Sequence, residues 1–136
     1  MSRKTARDNA FKLVFEAPFY KNDFETVMNT FDGIEKENLT ENDLKYIKST
    51  VSGVFDKLEI IDDKINSKLI GWTVGRLPKT TAAILRLAVY EMEFNDDIPV
   101  QVAMNEAIEL AKIYCDDDAP RFVNGVLESV KKLKEA

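Results

Sequence analysis

The sequence predicts an all-α fold of about seven helices. Apolar residues recur at three- and four-residue spacing along most of the chain, and no stretch sustains the alternation of a half-buried strand. Glycine and proline together number nine in 136 residues, few enough interruptions for long helices. Helix start and stop signals stand at the ends of the periodic stretches. The composition, 45% hydrophobic and 32% charged, is that of an ordinary soluble globular domain. A chain this long buries roughly two-thirds of its unfolded surface and needs neither metal nor disulfide to fold. One domain over residues 1–136 is expected, with an N-terminal helical half at about 1–70 and a C-terminal half at about 79–136.

The first helix is expected to start near Ser2 or Arg3 and run to about Ala17, where Pro18 stops it. Ala6, Ala10, Leu13, Val14 and Ala17 form its apolar stripe, widened by Phe11 and Phe15. Those two phenylalanines fit either core or a self-association face. A short helix from about Phe24 to Thr30 ends before Gly33. Thr40 is placed to cap the next helix, and Glu41 and Asp43 suit its positive end. Leu44, Ile47, Val51, Val54, Phe55 and Leu58 then keep helical spacing, continued by Ile61, Ile65 and Leu69. One straight helix from 41 to 70 is long for so small a domain, so a break is expected near Leu58–Asp62.

The segment 71–78 reads as a connection between two packed halves. Thr80 to Glu93 is apolar on nearly every side and belongs in the centre. Pro99 suits the first position of the next helix, whose stripe is Val100, Ala103, Met104, Ala107, Ile108, Ala111 and Tyr114. Asp116–Asp118 offer a cap to the last helix, with Pro120 in its first turn, and Phe122, Val123, Val126, Leu127, Val130 and Leu133 are expected to be buried.

Several chemistries are excluded. The chain has no histidine and one cysteine, Cys115, so imidazole catalysis, the usual zinc sites and an internal disulfide are all absent. A lone cysteine fits a reducing, cytoplasmic setting. No apolar run approaches the ~20 residues of a membrane span, and the opening MSRKTARDN leads into no signal-peptide core. There is no phosphate-binding glycine loop. Asp116–Asp118 are three consecutive residues that do not converge on one cation, so capping explains them better. The reading is a binding protein that uses no cofactor or metal, not an enzyme.

Charge is polarised. The net charge of −5 argues against indiscriminate nucleic-acid binding. Yet Arg3, Lys4, Arg7 and Lys12 against Asp8 give residues 1–12 a net +3, while residues 23–63 hold eleven acids against four bases. Cations in the first turns of a helix oppose its dipole, and Arg3 and Arg7 share a face where they repel. An anionic partner would relieve both, and a solvated helix end accounts for them equally simply. Gly125, inside the last helix beside Asn124, costs ~1 kcal/mol against alanine; it marks either close helix packing or a spot where a partner's backbone approaches. Arg86, in the most apolar helix, requires an acidic partner, with Glu91, Glu106 and Glu109 as candidates.

Three long blocks add a resemblance. Ala83–Glu91, Pro99–Lys112 and Arg121–Leu127, with Ala6-Arg7 and Ala10 upstream and Trp72, Arg76 and Leu77 between, stand in the order and spacing of the NusB family of bacterial transcription antitermination factors. The chain resembles that family over nearly its whole length. The resemblance implies two small helical bundles and a partnership with NusE, a small-subunit ribosomal protein. It further implies that the two together bind single-stranded boxA RNA of ribosomal RNA leaders and join the antitermination complex on RNA polymerase. By position, it implies RNA contacts for Arg3, Lys4, Arg7, Tyr114, Arg121, Phe122 and Asn124, and NusE contacts near Arg76 and Thr81. An aromatic beside a guanidinium suits unpaired bases, although Phe122 also fits the core stripe. Few early cations, and Asp116–Asp118 near the RNA surface, predict weak RNA binding by the isolated chain. A helical protein-interaction module without RNA contact is the alternative. NusB-like domains also occur fused to RNA cytosine methyltransferases, but this sequence carries neither a glycine-rich cofactor loop nor a catalytic cysteine motif.

Overall fold

The computed structural model describes residues 3–32 and 39–135, with the side chains of Arg3, Asp32 and residues 133–135 outside the description. Expectations resting on Ser2, Gly33, the Arg3 side chain or Leu133 therefore lie outside the described residues. Those residues form seven α-helices and no strand: α1 (Arg3–Glu16), α2 (Phe24–Asp32), α3 (Glu41–Asp56), α4 (Leu58–Asn66), α5 (Lys79–Phe94), α6 (Val100–Tyr114) and α7 (Ala119–Glu135).

The boundaries follow local chemistry. Pro18 turns the end of α1 into a 3₁₀ turn at Ala17–Tyr20. Thr40 caps α3 as expected: its hydroxyl accepts from the Asp43 amide, and the Asp43 carboxylate accepts from the Thr40 amide, a reciprocal capping box. The expected break falls one residue early, at Lys57 alone (φ −104°, ψ 13°). The amide of Lys57 still bonds to Gly53 and its carbonyl to Ile61, so the chain kinks there without a loop. Pro78 and Pro99 flank α5 and α6 as N-caps, outside the helices. Both hold extended ψ angles, 141° and 140°, while their carbonyls accept the first helical bonds. Gly71 turns the connection with φ 76°, a conformation that favours glycine.

The apolar helix α5 is the axis of the molecule. It packs against α1, α3, α4, α6 and α7, and Ile84, Leu85, Leu87, Val89 and Met92 are all buried on it. Helix α1 lies across α3 and α5 through Ala6, Ala10, Phe11, Leu13 and Val14, so Phe11 belongs to the core. Helix α6 packs against both α5 and α7, which also meet each other. Gly53 of α3 faces the Tyr90 ring of α5, where a Cβ would stand 2.2 Å from ring atoms.

Candidate nucleic-acid interface

The expected interface residues come from three places: the opening of α1, the end of α6 and the start of α7. The structure treats them differently.

In α1, Lys4 is exposed and Arg7 is not. Arg7 is 4% exposed and lies inside a polar cluster joining four helices. Its Nε donates to Glu91 Oε1 at 3.0 Å and its Nη2 to Glu91 Oε2 at 3.4 Å. Its Nη1 pairs with Glu106 Oε1 at 3.5 Å. Tyr46 donates its hydroxyl to Glu91 Oε2 at 2.8 Å, and the guanidinium lies 5.8 Å from the Tyr46 ring centroid. Burial pulls the Arg7 pKa down, but the Glu91 hydrogen bond and the charges of Glu91, Tyr46 and Glu106 outweigh it and hold the group above its ordinary value. The Arg7 side chain, expected at phosphate, is thus engaged within the fold in this structure. With both carboxylates already engaged, its charge is satisfied within the fold. The same cluster corrects the Arg86 expectation. Glu91 and Glu106 belong to Arg7, and Arg86 of α5 instead bonds both oxygens of Asp62 on α4, at 2.8 and 3.1 Å.

At the end of α6, Tyr114 is half-buried. Its ring packs on Phe11, centroids 4.8 Å apart, and its hydroxyl donates to Asp8 Oδ1. Lys12, one turn along α1, pairs with Asp8 Oδ2 at 3.0 Å. Burial, then the Asp8 hydrogen bond, pushes the Tyr114 phenol above its ordinary range. Lys4, Thr5, Arg7 and Asp8 line one wall of a shallow groove whose other wall is Glu106, Glu109, Leu110 and Ile113. This groove joins the opening of α1 to the latter part of α6.

At the start of α7, Arg121, Phe122 and Asn124 are all exposed. The buried line is Ala119, Val123, Val126, Leu127 and Val130. Phe122 stands at the edge of that line with 39% of its surface exposed, which corrects its expected burial. Gly125 is exposed, and a Cβ there would meet nothing within 4 Å. Among the described residues, close packing is thus excluded as its reason. Ser129 instead bonds back to its carbonyl.

The two expected NusE-facing residues also part. Arg76 is exposed in a 3₁₀ turn, Val74–Arg76. Thr81 is 4% exposed and donates to Cys115 Sγ at 3.7 Å, tying the start of α5 to the end of α6. The Thr81 side chain, expected to face NusE, is thus turned into the junction of α5 and α6 in this structure. Sequence reasoning passed over the exposure of Trp72 (59%) and Ile70 (96%) beside that turn, and of Ile113 (64%) near Tyr114. Their breaks from the apolar stripes were the available signal. Among the described residues, no group of three or more acids or thiols converges to hold a metal ion. No helix there is long and apolar enough to cross a membrane.

Comparison with known proteins adds to this geometry. The NusB family profile matches residues 4–132. The transcription antitermination protein NusB of Ruminiclostridium cellulolyticum is 42% identical over 132 residues, spanning 97% of this chain and 90% of that protein. Its namesake in Acetivibrio thermocellus is 43% identical over 98% of this chain and 91% of its own length. Among solved structures, T. maritima NusB superposes with a TM-score of 0.88 at 33% identity, covering 97% of this chain and 92% of that one. A structure of antitermination factors NusB and NusE in complex with double-stranded RNA contains a chain matching at TM-score 0.80 and 28% identity, with 96% of each chain covered. A match across nearly the whole sequence, on a fold that superposes throughout, makes this chain a member of the NusB family.

Proposed function

We propose that this protein is a cytoplasmic transcription antitermination factor, not a catalyst, that recognises boxA-type single-stranded RNA together with NusE and supports ribosomal RNA transcription. The observation that carries the reading is the exposed triplet Arg121, Phe122 and Asn124 on the first turns of α7. It supplies a guanidinium for phosphate, a ring for stacking and an amide for base edges. Lys4 and Tyr114 add a cation and a second ring at the junction of α1 and α6. The names of the curated relatives support antitermination, and the structure of NusB and NusE with double-stranded RNA supports RNA binding alongside NusE. Arg76, exposed beside Trp72, is the NusE-facing residue this reading retains; antitermination by the RNA polymerase complex follows from loading of the pair.

The burial of Arg7 gives the alternative, a protein-docking module without RNA contact, one supporting observation: the most central cation of the N-terminus is unavailable to phosphate. Titration of a fluorescent boxA RNA with this protein, with NusE and with both separates the readings. A scrambled RNA and a duplex serve as controls. The proposal expects the pair to bind boxA far more tightly than either protein alone. Arg121→Ala and Lys4→Ala should weaken RNA binding while leaving NusE binding intact. Binding by the pair no better than by NusE alone would favour the docking module.

A further inference from the structure

Acids beside an RNA-binding surface are ordinarily unfavourable, yet Asp8 lines the α1–α6 groove of the candidate surface. It lies between Lys4 and Lys12 on α1, facing Tyr114 of α6. Both of its oxygens are engaged: Oδ1 accepts the Tyr114 hydroxyl, and Oδ2 pairs with the Lys12 ammonium. The Tyr114 ring is held from a second side by Phe11. A phenol and an ammonium that would otherwise sample several rotamers are thus fixed by one carboxylate. Its charge is offset by Lys12, which remains 55% exposed and has further N–H groups to offer.

Building on the RNA-binding reading above, we propose that Asp8 is a positioning residue of the nucleic-acid interface. It orders the Tyr114 ring for stacking and the Lys12 ammonium for phosphate before an unpaired nucleotide arrives. Lys12 becomes a further phosphate-binding residue on this account. The physical gain is preorganisation: side chains ordered in advance are not ordered at the expense of binding.

The prediction has a sign that simple electrostatics reverses. Asp8→Ala removes a negative charge from an RNA-binding face, and on charge alone it would tighten binding. Positioning predicts weaker binding, by roughly two- to tenfold, as expected when a side chain must be ordered on association. The experiment is a boxA RNA titration of the NusE complex with wild type, Asp8→Ala, Asp8→Asn, Tyr114→Phe and the Asp8→Ala/Tyr114→Phe double variant. Asp8→Asn keeps an acceptor for the phenol and is expected to recover part of the loss. Tyr114→Phe should weaken binding as Asp8→Ala does, and the double variant should lose no more than Asp8→Ala alone. Ultraviolet titration supplies a readout in which general destabilisation would lower every raised tyrosine together, whereas loss of the Asp8 contact lowers one. Burial raises both Tyr90 and Tyr114 above the ordinary range, and in Asp8→Ala the Tyr114 titration should fall toward that range while Tyr90 stays where it is. Tighter or unchanged RNA binding by Asp8→Ala, or additive losses in the double variant, would overturn the proposal. Absence of boxA binding by the unmutated complex would overturn the function itself, an outcome read before any variant is made.

Discussion

Arg7 illustrates how much one side chain can hold. Its guanidinium bonds Glu91 through two nitrogens and Glu106 through a third, while Tyr46 donates to the same Glu91 carboxylate. Helices α1, α3, α5 and α6 therefore meet at a single polar cluster. Removing a partner from such a cluster leaves an uncompensated buried charge, at a cost of about 3–5 kcal/mol. Arg7→Ala is thus expected to lower stability by that amount, measured by urea denaturation. Arg7→Ala combined with Glu91→Gln should be less destabilising than the sum of the single changes. A loss below about 1 kcal/mol for Arg7→Ala would mean that the cluster contributes little. At this scale the sequence was only partly readable. It showed that Arg86 needs an acid and that Arg7 is an unusual cation. Yet Arg86 pairs 24 residues away and Arg7 pairs 84 residues away, and neither separation is encoded by local spacing.

Whole elements were far more legible, because the signals that make a helix are local. The Thr40–Asp43 capping box, the proline before α6 and the 3.6-residue stripes are all written within a few residues of the structure they cause. The start of α7 was harder to read. Phe122 lies one step from the buried line of that helix, close enough in pattern to be taken for core. Glycines make a sharper test of how the elements meet. Gly53 lets α3 approach the Tyr90 ring, where a Cβ would stand 2.2 Å from ring atoms. Gly53→Ala is expected to destabilise the fold by about 1–3 kcal/mol through overpacking. Gly125→Ala meets open space and should instead stabilise the chain by up to about 1 kcal/mol. Thermal melts of the two variants should move in opposite directions. If Gly125→Ala weakens RNA or NusE binding while raising the melting temperature, the exposed glycine marks where a partner's backbone approaches.

The molecule as a whole places an apolar helix at its centre and arranges its chemistry on the surface around it. The acidic balance, −5 over the chain, coexists with a candidate RNA surface because the relevant cations, Lys4, Lys12 and Arg121, are exposed on two helices. Asp116–Asp118, exposed just before α7, lie next to that surface in sequence and weaken its pull on phosphate. On the proposed function, this combination predicts that the isolated chain binds RNA weakly and gains affinity from its partner. The proposed function divides labour between the arginines, with Arg7 holding the fold and Arg121 proposed to meet phosphate. It is tested most directly by the salt dependence of boxA binding by the NusE complex, compared between wild type and Arg121→Ala. Each phosphate contact to a single strand contributes about −0.7 to the slope of log K against log salt. The account predicts that Arg121→Ala makes the slope shallower by about that one contact while stability is unchanged. An unchanged slope would contradict it and remove Arg121 from the RNA surface.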